Sequence, residues 1–177
     1  MKNDLKIESF KHEKLSSENR HLVSLAVKEE FGKIQIIKKL RWSKPTKTIL
    51  ASFEETVVGF VNIVERNCNF DDDTELVAGL SNLIVLPEHR GKGYGLELMN
   101  FYDQMLTNQD EVSYGLLFCS DSLVLYYQRL NWYLVKSEVT FSQPFGKRIW
   151  GSNTMLKNFS KAQSLYPKTI NLNGLPW

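Results

Sequence analysis

The stretch from Ser81 to Leu96, SNLIVLPEHRGKGYGL, limits the folds open to this chain more than any other. An apolar run typical of a buried strand ends at Pro87, and three glycines interleaved with two cations then precede a segment of helical period. Backbone N–H groups at a helix N-terminus are unpaired, and glycines let several of them converge on one anion. A loop that needs glycine only to turn tightly is the simpler alternative, but the interleaved cations disfavour it. The stretch therefore predicts a phosphate cradle between a strand and a helix.

Two common nucleotide-binding loops do not fit this stretch. The triphosphate loop GxxxxGK[ST] fails because Leu86 stands five residues before Gly91 and Gly93 follows Lys92. The dinucleotide fingerprint GxGxxG fails because the spacing here is GxGxG. A nucleotide-binding protein is therefore the weaker interpretation.

Composition places the chain among ordinary globular proteins. Its 177 residues are 42% hydrophobic and 24% charged, which predicts one domain over residues 1–177. The net charge of +2 gives no electrostatic reason to expect nucleic acid as a partner. The chain has neither a signal-peptide core nor an apolar run of about 20 residues, so we expect a cytoplasmic protein with no membrane contact. Cys68 and Cys119 are far apart, form no metal-ligand pattern and are expected to be free thiols.

Periodicity predicts the element order β-αα-βββ-α-β-α-ββ, which is an α/β fold with a mixed sheet. Ser16 or Ser17 is expected to cap the first helix, and Gly32 to end it. The acidic cluster at 71–73 lacks calcium-loop spacing and is expected to be a solvated hairpin turn. Single strands are expected at YLVKSEVTF and RIWGSNTMLKNF. Residues 160–177 show no clear period and are expected to form an extended tail.

Two motifs resemble those of the GNAT superfamily of acyl-CoA-dependent N-acetyltransferases. In VLPEHRGKGYG, residues Arg90, Gly93 and Gly95 stand at the positions of the [RQ]xxGx[GA] signature. The segment SDSLVLYYQRLNW is similar to the second motif of that family, which has Asn near a helix start and a later Tyr-x-x-x-Gly-Phe. The resemblance implies a mostly antiparallel central sheet of six to seven strands flanked by about four helices. The wording LLFCSDSLVLYYQRLNW also resembles aminoglycoside 2'-N-acetyltransferases.

The resemblance implies acetyl-CoA as the cofactor and assigns its contacts. The pantetheine arm would follow the strand edge at Leu83 and Val85, where that strand separates from YGLLFCS. The N–H of Leu83 would polarise the thioester carbonyl, and Ser120 takes the place of the usual Asn at the helix start. The pyrophosphate would lie on the backbone N–H groups of the loop residues Arg90, Gly91, Lys92, Gly93, Tyr94 and Gly95.

The same resemblance assigns the acid and leaves the base open. Tyr127 matches the family's general acid, whereas its neighbour Tyr126 is expected to pack. Gly79 and Ser81 stand where many members carry a base carboxylate, so no side-chain base is evident. Glu75 is the nearest acid along that strand, and a water chain that ends on backbone carbonyls or on Ser81 is an equal alternative. Cys119 has no adjacent base and is expected to be buried.

Acetyl transfer to a primary amine of a small molecule or peptide is the function that these motifs favour. We expect the acceptor between residues 29–42 and residues 141–150, where Trp42, Phe145 and Trp150 are candidate walls. A catalytically silent acyl-CoA sensor is the alternative, since no side-chain base is evident. The sequence leaves open whether the protein is a homodimer.

Overall fold

The computed structural model describes residues 4–160 and 164–177. These residues form one sheet of ten strands and four helices. The strands are β1 (Leu5–Lys11), β2 (Lys47–Phe53), β3 (Thr56–Phe70), β4 (Asp73–Val85), β5 (Tyr114–Cys119), β6 (Tyr133–Val135), β7 (Glu138–Gln143), β8 (Gly146–Ile149), β9 (Asn153–Asn158) and β10 (Thr169–Asn171). The helices are α1 (Ser17–Phe31), α2 (Gln35–Lys39), α3 (Tyr94–Thr107) and α4 (Asp121–Gln128).

The sheet is mixed and mostly antiparallel, as predicted. Its main path runs β6-β9-β5-β4-β3-β10-β7-β8, and β2 joins β1 to the first half of β3. Only the β4–β5 and β7–β10 pairs are parallel within the described ranges. The second half of β3 pairs with β10, so the two ends of this long strand have different neighbours.

Ten strands replace the predicted six to seven because two predicted strands each divide and the C-terminal segment adds one. The segment from Tyr133 to Phe141 breaks after Val135, since β6 pairs with β9 whereas β7 pairs with β8 and β10. The segment from Arg148 to Phe159 breaks after Ile149, since β8 pairs with β7 whereas β9 pairs with β5. A change of sheet neighbour has no signature in local periodicity, which explains both errors.

The helices begin and end largely where the sequence predicts. The Ser16 hydroxyl accepts a hydrogen bond from the Asn19 N–H at 3.1 Å, and Gly32 is the C-cap that follows the last residue of α1. Helix α3 buries Leu98, Met99, Tyr102 and Leu106 against the sheet. Leu96 is 47% exposed, because the buried row follows the four-residue spacing of Leu98, Tyr102 and Leu106.

The predicted C-terminal tail contributes a strand, Thr169–Asn171, to the sheet, while residues 161–163 lie outside the described residues. Strand β10 enters the sheet between β3 and β7. The Asp71 carboxylate, in the hairpin turn before β4, accepts hydrogen bonds from the N–H groups of Lys168 and Thr169. The Arg66 guanidinium donates to the carbonyls of Leu172 and Leu175. A three-residue strand is too short to show a period, so only these long-range contacts define it.

Two kinds of feature, membrane-spanning helices and clusters of metal ligands, were searched for in the described residues. Within residues 4–160 and 164–177, no helix is both long enough and apolar enough to span a bilayer. The same residues contain no group of three or more His, Cys, Asp or Glu side chains placed to hold a metal ion.

Candidate active site

Strands β4 and β5 separate in the middle of the sheet and leave a gap. They pair from Val77 and Tyr114 to Leu80 and Leu117, and β4 then continues to Val85 without β5 beside it. The separation begins at a β-bulge, since Leu80 and Asn82 have partners on β3 and Ser81 has none. A bulge bends its strand and increases the local twist, so it directs β4 away from β5.

The edge of β4 presents backbone groups to this gap. The Leu86 N–H donates to the Val58 carbonyl on the β3 side at 2.9 Å. Because backbone groups alternate along a strand, those of Leu83 and Val85 point to the opposite side, into the gap. The Val85 carbonyl accepts a hydrogen bond from the Arg90 Nε at 3.0 Å. The N–H groups of Leu83 and Val85 face the gap.

The glycine loop supplies a row of backbone donors beside the gap. Gly91 and Gly93 adopt φ values of 77° and 84°, a conformation that side chains disfavour. From Gly91 to Gly95, none of the five N–H groups bonds an acceptor in the described part of the chain. Five successive unpaired donors at the N-terminus of α3 are the arrangement that the predicted phosphate cradle requires, and residues 91–95 are called the cradle below.

Arg90 differs from the other loop residues. Its N–H closes a turn with the Pro87 carbonyl at 3.3 Å, so it is not among the free donors. Its guanidinium lies 2.7 Å from the Glu30 carboxylate, which connects the loop to α1. Lys92, by contrast, is exposed in the cradle. The structure therefore gives Arg90 the geometry of a support for the loop.

Tyr127 lies on α4, and its ring packs against Trp132 at 6.1 Å between ring centroids. The side chain is 7% exposed, and burial raises the pKa of its hydroxyl well above the usual value. No described residue hydrogen-bonds this hydroxyl, which therefore keeps its proton and has a free donor.

Tyr126, predicted only to pack, has its hydroxyl beside the cradle. A Cβ atom placed on Gly95 would lie 3.7 Å from this hydroxyl oxygen. The two tyrosine rings contact each other edge to face at 5.1 Å. The sequence predicts only a packing role for Tyr126, because neighbouring residues on a helix point about 100° apart.

Ser120 caps α4 at the end of β5 and is exposed. Its hydroxyl bonds the Ser122 hydroxyl at 2.9 Å, and no described N–H of the helix bonds its side chain. An open depression beside it is lined by Ser120, Asp121, Gly151, Ser152 and Asn153. The predicted contact between Ser120 and a cofactor stays a prediction.

The indole of Trp177 covers Gly79, one of the two β4 positions at which the resemblance implies a base carboxylate. It lies directly on Gly79, so that a Cβ there would overlap three ring atoms. The Trp177 Nε1 donates to the Leu116 carbonyl at 3.3 Å. Glu75, the nearest acid along β4, pairs with Cys68 towards the hairpin and is distant from the bulge. At the bulge, the Ser81 hydroxyl lies 3.4 Å from the Asn82 Oδ1.

Aromatic rings line the sheet face that carries Trp177. Trp150 packs on Phe118 at 4.4 Å and on Trp42 at 6.0 Å, and Phe118 is 6.0 Å from Trp177. Phe145 was predicted in this wall, but it is 93% exposed at the β7–β8 turn, so that prediction is wrong. Phe118 and Trp177 belong to this row of aromatic rings, and no sequence pattern predicted them there.

Cys119 ends β5 and is buried, as predicted. Its Sγ lies 3.7 Å from the Met155 Sδ. Burial, followed by the charge of Asp121, raises the pKa of its thiol. A thiol in this environment is not activated as a nucleophile.

Comparisons with known proteins agree with this geometry. The model of the Acetyltransferase (GNAT) family matches residues 18–131, more than half of the chain. No curated protein matches the chain in sequence. The family model does not separate subgroups, so the resemblance to aminoglycoside acetyltransferases stays a prediction.

Solved structures share the fold at low sequence identity. YhbS of Escherichia coli, a GNAT family N-acetyltransferase in complex with CoA, gives a TM-score of 0.64 at 12% identity over 96% of this chain and 90% of that chain. ElaA of Escherichia coli gives 0.60 at 16% identity over 87% and 99%. Arabidopsis thaliana Naa50, in complex with the bisubstrate analogue CoA-Ac-MVNAL, gives 0.55 at 14% identity over 88% and 99%. With the family model matched across the gap and the cradle, this chain belongs to the GNAT acetyltransferase family.

Proposed function

We propose that this protein is an N-acetyltransferase that moves the acetyl group of acetyl-CoA to a primary amine. The observation that carries the proposal is the row of five free N–H groups from Gly91 to Gly95 beside the gap between β4 and β5. A pyrophosphate needs converging donors, and a pantetheine arm needs an unpaired strand edge for its amides. YhbS, which shares the fold, has been solved with CoA.

In the proposed complex the pyrophosphate lies on the cradle, and Lys92 adds a positive charge. The pantetheine arm runs along the open edge of β4 and bonds the backbone of Leu83 and Val85. Ser120, exposed at the end of β5, is the proposed contact on the other strand. Tyr94 contributes its N–H, since its ring packs against Phe53 at 6.4 Å.

The proposed reaction is direct attack in a ternary complex. The amine nitrogen forms a bond to the thioester carbon, and the Leu83 N–H stabilises the charge that develops on the carbonyl oxygen. The carbon–sulfur bond then breaks, and the Tyr127 hydroxyl protonates the departing sulfur as general acid. The proton that the amine loses passes to water at Ser81. Burial holds Tyr127 in its protonated form, which this role requires.

A catalytically silent acyl-CoA sensor is the second candidate. The indole of Trp177 on Gly79 favours it, because this packing excludes a base carboxylate from that position. The sensor would use the cradle and the strand edge in the same way but would transfer nothing.

Thermal unfolding with acetyl-CoA, CoA, ATP and NAD in parallel tests the cofactor. A ligand at 100 times its Kd adds about 2.7 kcal/mol to the free energy of unfolding, which raises the Tm visibly. We expect a rise with acetyl-CoA and CoA only. A rise with ATP or NAD and none with CoA would refute the proposed function.

Release of free CoA thiol in the presence of a panel of amines separates the enzyme from the sensor. The enzyme releases thiol with at least one amine, and Tyr127→Phe lowers that rate without weakening acetyl-CoA binding. A protein that binds acetyl-CoA and gives no amine-dependent release is the sensor.

A further inference from the structure

A chain of polar side chains crosses the sheet to the bulge in β4. His12 Nδ1 lies 2.8 Å from the Thr48 hydroxyl, which lies 2.8 Å from Asn62 Oδ1. Asn62 Nδ2 lies 3.2 Å from Asn82 Oδ1, and the Ser81 hydroxyl approaches the same oxygen at 3.4 Å. Thr48 and Asn62 are 0% and 2% exposed. The chain therefore links the protein surface to the bulge through buried groups.

Burial of this chain is not explained by stability. A buried amide or hydroxyl costs free energy unless it is hydrogen-bonded, and apolar residues of similar shape serve the core as well or better. The neighbours of Asn62 on β3, Val61 and Ile63, are apolar and fully buried. Packing alone therefore does not require polar residues at these positions.

The hydrogen bonds of this chain all converge on Asn82. Thr48 has a single hydroxyl proton and donates it to Asn62, so His12 Nδ1 must be the donor to Thr48. Asn62 and Ser81 both donate to Asn82 Oδ1, which fixes the orientation of the Asn82 amide. Its Nδ2 bonds no acceptor in the described part of the chain and is not sealed from solvent. The network thus holds one amide donor outward.

The chain is poorly suited to carry a proton from the acceptor to His12. Such a transfer would pass through the carboxamides of Asn62 and Asn82, which hold no exchangeable lone pair on nitrogen and would have to tautomerise. Orientation of Asn82 is the simpler use of the same contacts.

Asn82 lies on the face from which an acceptor must approach. On β3, Val61 and Ile63 pack in the cluster under α3, whereas Phe60 and Val64 on the other face pack with α1 and with the Trp177 cluster. Asn62 shares the face of Phe60 and Val64, and its hydrogen bond brings Asn82 to that face. Since the cradle is at the N-terminus of α3, the cofactor enters from the first face and leaves the second to the acceptor.

We propose that the Asn82 side-chain amide binds the acceptor by donating a hydrogen bond to an oxygen on the carbon next to the one that bears the amine. The acceptor class is therefore an α-amino carbonyl compound, such as an amino-acid amide or a peptide N-terminus. This inference rests on the proposed acetyl transfer. Asn82 directly precedes Leu83, and successive Cα atoms are about 3.8 Å apart, so its side chain starts one residue from the N–H that would hold the thioester carbonyl. The aromatic wall at Phe118 and Trp150 favours an apolar side chain on the acceptor.

The test compares two amines that differ in the carboxamide alone, phenylalaninamide and 2-phenylethylamine. Steady-state kinetics of the full chain are measured at saturating acetyl-CoA for the wild type and four variants. Asn82→Ala and Asn82→Asp remove the donor, and Asn62→Ala removes the residue that positions it. Asn100→Ala, an exposed residue on α3, is the matched control.

We expect Asn82→Ala and Asn82→Asp to raise the KM for phenylalaninamide about tenfold, the value of one hydrogen bond. The KM for 2-phenylethylamine and for acetyl-CoA should change less than about twofold, and Asn100→Ala should change none of them. Asn62→Ala should give a smaller rise for phenylalaninamide with kcat retained, which a general loss of structure would not produce.

Several outcomes overturn the inference. They are an equal effect on both amines, a lower KM for phenylalaninamide in Asn82→Asp, and a wild type that prefers 2-phenylethylamine. In these cases the proposed acetyl transfer still holds. A wild type that acetylates neither these nor any other amine, or shows no Tm rise with acetyl-CoA, overturns the proposed function as well.

Discussion

The contact between Gly79 and Trp177 can be tested by adding one methyl group. In Gly79→Ala the new Cβ would overlap Cε2, Nε1 and Cδ2 of the indole, at separations that real Cβ atoms do not show. The indole cannot yield easily, because Trp177 is 4% exposed and its Nε1 bonds the Leu116 carbonyl. The ring must therefore shift or leave its site.

The loss of stability in Gly79→Ala lies between two cases, a small shift of the indole and its complete departure from the site. A small shift with strained packing costs about 1–3 kcal/mol, and complete loss of the buried ring costs about 3–5 kcal/mol. A glycine replaced inside a strand otherwise gains about 0.5–1 kcal/mol, which offsets part of the loss. We expect Gly79→Ala to lower the free energy of unfolding by about 2–4 kcal/mol.

Urea unfolding of a double-mutant cycle provides the measurement. Trp177→Ala alone should cost about 3–5 kcal/mol, and adding Gly79→Ala to it should cost almost nothing, because the methyl group then has space. Gly151→Ala is the matched control, since no atom lies within 4 Å of a Cβ there. Additive losses, or a Gly79→Ala loss no larger than that of Gly151→Ala, would show that the indole does not lie on Gly79.

Further predictions concern the acid, the cradle and the C-terminal segment. Tyr127→Phe should lower kcat about 100-fold while Tyr126→Phe changes it much less, and equal effects in single-turnover assays would contradict the assigned acid. Because burial raises the pKa of Tyr127 above the ordinary tyrosine value of about 10, loss of its proton should not lower kcat at any pH below about 10. A fall in kcat at a lower pH that Tyr127→Phe abolishes would refute this. Gly93→Ala must hold a φ of 84°, so it should weaken CoA binding measured by calorimetry, and unchanged affinity would argue against the cradle. Asp71→Ala should speed hydrogen exchange at the Thr169 amide. The hydrogen bond from the Thr169 N–H lowers the pKa of Asp71 below its ordinary value of 3.8. In the wild type, the Thr169 amide should therefore stay protected from exchange at pH values above 3.8 and lose protection only below it. Loss of protection at a higher pH would refute this role of Asp71.

Features that depend on neighbouring residues could be predicted from the sequence. The alternation of glycines and cations in RGKGYG and the helix that follows led to the cradle, because free N–H groups at a helix start are a local property. The start and end of α1 followed from Ser16 and Gly32 for the same reason. The mostly antiparallel sheet and the gap came from family resemblance and not from periodicity.

Other features depend on which distant segments meet. Asn62, a polar residue inside the apolar run VVGFVNIV, was a signal that the sequence offered, but its partners Thr48 and Asn82 belong to other strands and were not predicted. The charge of Arg90, read from the sequence as a phosphate contact, is paired with Glu30 because α1 packs beside the loop.

The sequence by itself determined that this chain places a glycine loop with free backbone donors at a helix N-terminus and carries a tyrosine at the acid position of its family. Only the tertiary structure decided what surrounds them: the bulge that parts β4 from β5, Trp177 on Gly79 and the amide of Asn82. Backbone donors and helix caps are set by residues a few positions apart, whereas packing and side-chain networks depend on long-range pairing of strands, for which one sequence contains no local period.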